Sequence, residues 1–329
     1  MNRFCFISVA SIIFLFLHLV SCELSLKNTF KAHFFGINSL EISNDNDIIT
    51  TGGGDFNIKI WSSDTFELKN MIHCHNESEG LGFNIKNIVF LESGDLVSAS
   101  SVYYYGRDSY ETRIFYKLWD FNSSKMKTFQ NGKSFQEVDN MILLSNGDLA
   151  IVTSERILTI RESQSLEIKK IIEPTKIDYV PFAGLIELKN KDLLYGCDGT
   201  VNIFDTQFNL KATFNLIGDL RYVIMLKNGD LVTSESDDAL RIWDQNSYKL
   251  KNTIKDSNVT KGVVQMIQLE NEDLVLGTSD GFINVIDSQK FELKQKLNTF
   301  DEVLAFNIMK NGDLVSGHNN GTISVWANN

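Results

Sequence analysis

The sequence predicts an all-β protein: seven four-stranded antiparallel blades in a closed ring, a seven-bladed β-propeller whose N-terminal strand completes the last blade. Two repeated phrases predict it. The first is an Asp, an apolar residue and then an apolar strand. It stands at Asp47-Ile48, Asp95-Leu96, Asp148-Leu149, Asp192-Leu193, Asp230-Leu231, Asp273-Leu274 and Asp313-Leu314. The copies are 48, 53, 44, 38, 43 and 40 residues apart, a spread centred on the period of about 40–45 residues of a four-stranded blade. The second is an apolar-Lys pair closing each repeat: Leu68-Lys69, Met126-Lys127, Ile168-Lys169, Leu210-Lys211, Leu250-Lys251 and Leu293-Lys294. The seventh repeat reaches Trp326 with three residues left and has no such pair. The missing copy is at the other end of the chain, where Leu26-Lys27-Asn28-Thr29-Phe30 matches Leu250-Lys251-Asn252-Thr253-Ile254. A blade without its outer strand would expose a row of unpaired N–H and C=O groups, and the N-terminal strand repairs that edge.

Within a repeat, strands and turns alternate at short intervals. In the fifth, a strand over Tyr222 to Leu226 leads to Asn228-Gly229-Asp230, a hairpin turn that tolerates positive φ. A second strand (Leu231-Val232-Thr233) precedes a polar turn at Asp237-Asp238, and a third ends in Ile242-Trp243-Asp244. The fourth is expected at Tyr248-Lys249-Leu250-Lys251. β-Branched residues, period-two alternation and turn signals argue for strands throughout, with no amphipathic helix.

Residues 1–22 read as a secretory signal peptide: Arg3 precedes an apolar run from Phe4 to Val20, with Ser21 and Cys22 at its end. The propeller domain is then 23–329, and the expected location is secreted or lumenal. An uncleaved anchor, or lipid on Cys22 in a bacterial host, are the alternatives. Without Arg3 the chain holds 30 basic against 42 acidic residues, a net charge of −12. That balance argues against nucleic acid or anionic lipid as partner, which need positive patches. No later apolar run is long enough to insert the mature domain in a membrane. Cys74 and Cys197 fall in different repeats, so no disulfide is expected; Asn76, Asn122, Asn258 and Asn320 head Asn-X-Ser/Thr sequons.

These residues resemble the WD-repeat β-propeller family over the whole of the mature chain. The resemblance implies a buried hydrogen-bonded set in each blade, best kept in the first as His33, Thr51, Asp55 and Trp61. The fifth keeps Thr233, Asp237 and Trp243 but has Gly218-Asp219 where Gly-His is expected. Elsewhere the signature decays, to Trp119-Asp120, Phe204-Asp205, Ile286-Asp287 and Trp326-Ala327, and to Ile160-Arg161 in the third blade. The set is read as scaffold rather than as a catalytic constellation.

No convergent acid, base, nucleophile or metal set stands out, and no cofactor is implied. His73-Cys74-His75 with Glu77 offers too few ligands for a zinc site and reads as a loop. Gly52-Gly53-Gly54 lacks the helix that would make it an anion cradle. The strongest departure is an insertion between Ser100 and Phe115, holding Tyr103, Tyr104, Tyr105, Arg107 and Tyr110. Tyr and Arg dominate binding hot spots, and the family resemblance implies that turns between second and third strands receive partners. A hairpin with its rings packed on a neighbouring blade is the equal alternative. The expected function is a non-enzymatic module binding a protein or peptide through this insertion and through loops near Tyr179, Arg221 and Lys261. The rival is a propeller hydrolase or lyase, or a carbohydrate-binding protein, but Asn140, Arg221 and Gln265 are thin polar support along an otherwise apolar channel.

Overall fold

The computed structural model describes residues 23–54, 56–74, 83–105, 110–134, 137–173, 184–197 and 199–328. They form seven four-stranded antiparallel sheets, with no helix among the described residues. The blades span 37–73, 83–134, 138–172, 184–215, 220–254 and 263–298, and the seventh joins 303–328 to the strand Leu24–Lys31. That strand pairs antiparallel with Thr322–Asn328, from Leu24↔Asn328 to Lys31↔Thr322. The ring is closed by its N-terminal strand.

The two repeated phrases turn out to be one device. In each outer strand the Lys is a bulged residue, skipped by the pairing: Trp61 faces Leu68 and Ile60 faces Asn70, so Lys69 has no partner. The closing strand does the same, with Leu26↔Trp326 and Asn28↔Val325 around Lys27. A bulge re-aims its side chain, and here it aims the ammonium at the Asp of the same blade. The pairs are Asp47–Lys69, Asp95–Lys127, Asp148–Lys169, Asp192–Lys211, Asp230–Lys251, Asp273–Lys294 and Asp313–Lys27, at 2.5–3.0 Å. All lie at the lower end of the ring, where first-to-second and third-to-fourth turns gather. The Asp carboxylates are nearly buried and the lysines half exposed, so each pair mainly satisfies a desolvated carboxylate.

Packing runs between blades rather than within them. Ile49, Ile58 and Ile72 of blade one meet Ile85, Leu96 and Trp119 of blade two, and Leu24 joins Trp326 against Leu269 and Ile283 of blade six. Sandwiched on both faces, second strands such as Ile48–Gly52 are buried throughout, which explains their continuous apolar runs.

Two expected registers need correction. The outer strand of blade five begins at Leu250, not Tyr248. Tyr248 stands in a left-handed turn at φ 53°, and its ring stacks on Phe214 of blade four at 5.7 Å. Inter-blade packing offsets the cost of that conformation. In blade three, Arg161 rather than Ile160 holds the Trp position, because Leu149 pairs with Arg161 as Ile48 does with Trp61. Glu162 then takes the turn-capping place of Asp, accepting from the amides of Gln164 and Ser165 as Asp244 does from Asn246 and Ser247.

Candidate functional site

Each of the four Trp residues donates its indole N–H to a buried hydroxyl three residues past the repeated Asp. The pairs are Trp61–Thr50 (2.9 Å), Trp119–Ser98 (2.8 Å), Trp243–Thr233 (3.0 Å) and Trp326–Ser316 (2.9 Å). The indole and the Ser or Thr vanish together elsewhere: Phe204 and Ile286 occupy the Trp position in blades four and six, with Tyr195, whose hydroxyl donates to the Arg156 carbonyl instead, and Leu276 in place of Ser or Thr. A buried acceptor without its donor would be costly. In blade three, Arg161 donates to the Leu166 carbonyl at 2.7 Å and lies 4.2 Å over the Tyr116 ring.

The hydroxyl in blade one is therefore Thr50, not Thr51. Neighbouring strand residues face opposite ways, so only one of the two can meet Trp61. Asp55 lies outside the described residues. His33 reaches the indole through Thr50, at 2.8 Å from Nε2 to Oγ1. Its ring fills the space of a missing side chain, since a Cβ on Gly52 would fall 2.4 Å from His33. Blades five and seven use a real side chain at that same strand position. Glu235 accepts from Thr233 Oγ1 at 2.9 Å and from the Ile217 and Gly218 amides. His318 bonds Ser316 and Ser324 at 3.0 and 3.2 Å. Asp237 does not join the Trp243 set; it binds Arg241, which also clasps Glu235, each at 2.7 Å. Apart from His318 Nδ1 and Arg241 Nε, which make no hydrogen bond, and the partly exposed Asp237, these groups are buried and bonded to one another, which is the work of scaffold.

The central channel encloses about 460 Å³. Its wall is more polar than the sequence suggested, because first strands turn residue pairs inward around a bulge. Asn38, Glu41 and Asp139 join Asn140, Arg221 and Gln265 in the lining. Burial pushes the Glu41 carboxyl up to about 7 against a donated bond from Asn307, and the Asp139 carboxyl up to about 6 against Arg156. The two are not a catalytic pair. Glu41 is fifth in its strand and Asp139 second in its own, so they stand roughly 10 Å apart along the bore, beyond the spacing of carboxylates that share a bond. Among the described residues no three His, Cys, Asp or Glu are grouped to hold a metal ion.

A raised carboxyl makes folding weaker as pH rises, since the folded chain must give up a proton that the unfolded chain lost near pH 4.5. The window for Glu41 runs from 4.5 to about 7, worth at most about 3 kcal/mol above it. Glu41→Gln is therefore expected to stabilise the chain at pH 8 by about 1–3 kcal/mol and to change little at pH 4, read by urea denaturation. His318, held down to about 4 by burial, has the opposite sign: the unfolded chain takes up its proton first, so stability falls as pH drops from 6.5 towards 4. It is common to both proteins and cancels in the comparison.

The upper end carries second-to-third turns and fourth-to-first connections. Here the insertion is not a loop but an extended hairpin. Strands Asp95–Tyr105 and Tyr110–Asp120 stay paired up to Tyr105↔Tyr110, against five residues in the equivalent strands of blade one. The neighbouring strands lengthen with them, as Phe83↔Val102 and Arg113↔Ser134 show. Blade two therefore projects beyond the ring. The structure describes the backbone of Tyr103, Tyr104, Tyr105 and Tyr110; Arg107 and Tyr179 lie outside the described residues. Arg221 turns to Asp238 of blade five instead, a carboxylate to which Lys261 adds a longer-range attraction. Arg221 bonds that carboxylate at 2.7 Å. The Gly262 N–H first, and the two cations after it, hold Asp238 below its ordinary pKa.

His73 and Cys74 point to opposite sides: His73 is exposed and bonds Asn57 at 2.9 Å, while Cys74 is buried, its thiol donating to the Ile72 carbonyl at 3.6 Å. His75, Glu77 and the Asn76 sequon lie outside the described residues; Asn122, Asn258 and Asn320 are exposed. The family model for the WD domain, G-beta repeat, matches residues 24–62, the closing strand with the first three strands of blade one. With the seven-bladed ring, that match supports a WD-repeat β-propeller. No curated protein matches the chain.

Proposed function

Taking a WD-repeat propeller as the scaffold, we propose that this chain is a non-enzymatic interaction module of the secretory pathway or extracellular space, holding a protein or peptide partner on its upper end. The observation that carries the reading is the hairpin of blade two, whose strands carry Tyr103, Tyr104, Tyr105 and Tyr110 beyond a ring that is otherwise closely repeated. Such a projection contributes nothing to ring closure. The apolar leader with Arg3 before it supports export, and the acidic balance supports a partner that is neither nucleic acid nor anionic lipid.

The test is Tyr104→Ala, Tyr105→Ala and Arg107→Ala in one variant. Partner capture from the native secretory fraction, identified by mass spectrometry, is expected to fall about tenfold or more while the circular-dichroism melt stays unchanged. Undiminished capture would remove the hairpin from the interface.

A further inference from the structure

We infer that the upper end across blades six, seven and one is a docking surface for a partner segment in which an apolar anchor stands beside basic residues. This deepens the interaction reading above and rests on it, while placing contacts on different blades from the hairpin.

The exposed large apolar residues fall into two sets. Most sit on outer strands at repeated positions, such as Leu26, Leu68 and Leu250. Phe34, Phe35, Ile217 and Phe300 break that pattern, at 79, 63, 69 and 88% exposure, and all occupy fourth-to-first connections. Three of the four are in adjacent connections, blade six to seven and seven to one. Phe300 stands in the left-handed region at φ 62°, as do Phe66, Phe208 and Phe291. The latter three pack their rings against the core clusters, which offsets the unfavourable backbone. Phe300 has the cost without the burial, a combination that points to use rather than folding.

These rings are carried on a fixed floor. Phe35 lies across a glycine turn, where a Cβ on Gly54 would fall 2.6 Å from its ring. The Ala32 and His33 amides both bond the Gly321 carbonyl at 3.0 Å. The Asn319 amide bonds the Glu302 carbonyl at 3.0 Å, and a Cβ on Gly36 would touch Asn319. Beside Phe300, Thr299 bonds the Gly281 and Asp301 carbonyls at 2.9 and 2.7 Å. The two connections are thus stitched through the turn at 318–322 into one surface whose backbone is pre-ordered, which lowers the entropy lost on binding.

The charge around Phe300 decides the chemistry of the occupant. Asp280, Asp301 and Glu302 gather there, bonded to Thr278 and to backbone, with no cationic side chain in salt-bridge reach among the described residues. Burial and then Asp301 push the Glu302 carboxyl up. Two neighbouring lysines are engaged elsewhere: Lys31 is turned back onto the Phe34 and Asn320 carbonyls, and Lys296 lies over the Phe282 ring and bonds the Asn258 carbonyl. A segment bringing Lys or Arg next to a Leu or Phe would fill the apolar surface and neutralise these carboxylates together.

Two fluorescein-labelled synthetic peptides test this, each with a central Leu-Phe pair, flanked in one by Lys and Arg and in the other by Asp and Glu. Fluorescence anisotropy is expected to show binding of the basic peptide only. Phe34→Ser with Phe300→Ser, and separately Asp301→Asn with Glu302→Gln, should each weaken it about tenfold, and added salt should weaken it further. Because all four side chains are at or near the surface, the thermal melt serves as the folding control. No binding of the basic peptide to the native chain, or undiminished binding to either variant, overturns the inference. So does a dimer of the chain alone, seen by sedimentation, that dissociates in the Phe34→Ser, Phe300→Ser variant, since a second copy would then own the surface. Partner capture lost in the hairpin variant but intact in the Phe34→Ser, Phe300→Ser variant would leave the proposed function standing and remove this surface from it.

Discussion

Replacing the strand Leu24–Lys31 by a Gly-Ser linker is expected to abolish cooperative folding, giving aggregation on gel filtration and no two-state denaturation curve. The loss has three sources. The edge of Thr322–Asn328 is left without its ladder and becomes a template for non-native pairing. Leu24, 2% exposed, leaves the cluster it shares with Trp326, and Phe30 leaves its contact with the Trp61 ring at 5.0 Å. Asp313, nearly buried, loses the Lys27 ammonium. Together these approach the whole net stability of a domain, about 5–15 kcal/mol. Lys27→Ala alone should cost only about 1 kcal/mol, so the two variants separate the strand from its salt bridge.

Arg241→Ala is expected to cost about 3–5 kcal/mol in urea denaturation at neutral pH. The Glu235 carboxylate is fully buried, and Arg241 is the cation beside it. Removing the guanidinium leaves a charge with three neutral donors, from Thr233, Ile217 and Gly218. Adding Glu235→Gln should restore more than half of the loss, since the amide oxygen can still accept while the charge is gone. A cost below about 1 kcal/mol would mean that water reaches the pair. The arrangement also explains how blade five manages with Asp219 where His is expected: the acceptor for Thr233 comes from within the second strand instead.

The architecture was legible because one weak signal recurs in phase. A single Asp-Leu or Leu-Lys means little, but their alternation along the chain fixed seven blades and sent the first strand to the last blade. What the sequence did not reveal was that the two signals describe a single contact, because a bulge cannot be told from an ordinary strand residue without its partner strand. The same limit misplaced Thr51 and Ile160. A slip of one residue in a strand exchanges its faces, and Thr50-Thr51 offers two hydroxyls with nothing local to choose between them. The glycine triplet at 52–54 forms the end of a strand and a turn, and its reason is remote: Gly52 yields to His33 and Gly54 to Phe35.

The candidate sites were legible to different degrees. The Tyr-rich insertion stands out by length alone, and it proved to be a continuation of strands rather than an irregular loop. Arg221 bonds Asp238, and Lys261, singled out separately, adds a weaker attraction to the same carboxylate. Phe34, Phe35 and Phe300 carried no signal in a chain with 23 Phe. Whether a Phe is buried depends on which connection it occupies, and similar left-handed turns bury Phe66 and Phe291 while leaving Phe300 in solvent.

Ring closure has a direct chemical readout. The hydroxyls of Thr29 and Ser324 lie 3.0 Å apart across the closing ladder, a distance at which two thiols can join. In the Thr29→Cys, Ser324→Cys variant, mild oxidation followed by peptide mapping should recover one disulfide linking the first strand to the last. Recovery of both thiols unlinked from a folded, monomeric chain would contradict the closure on which this account depends.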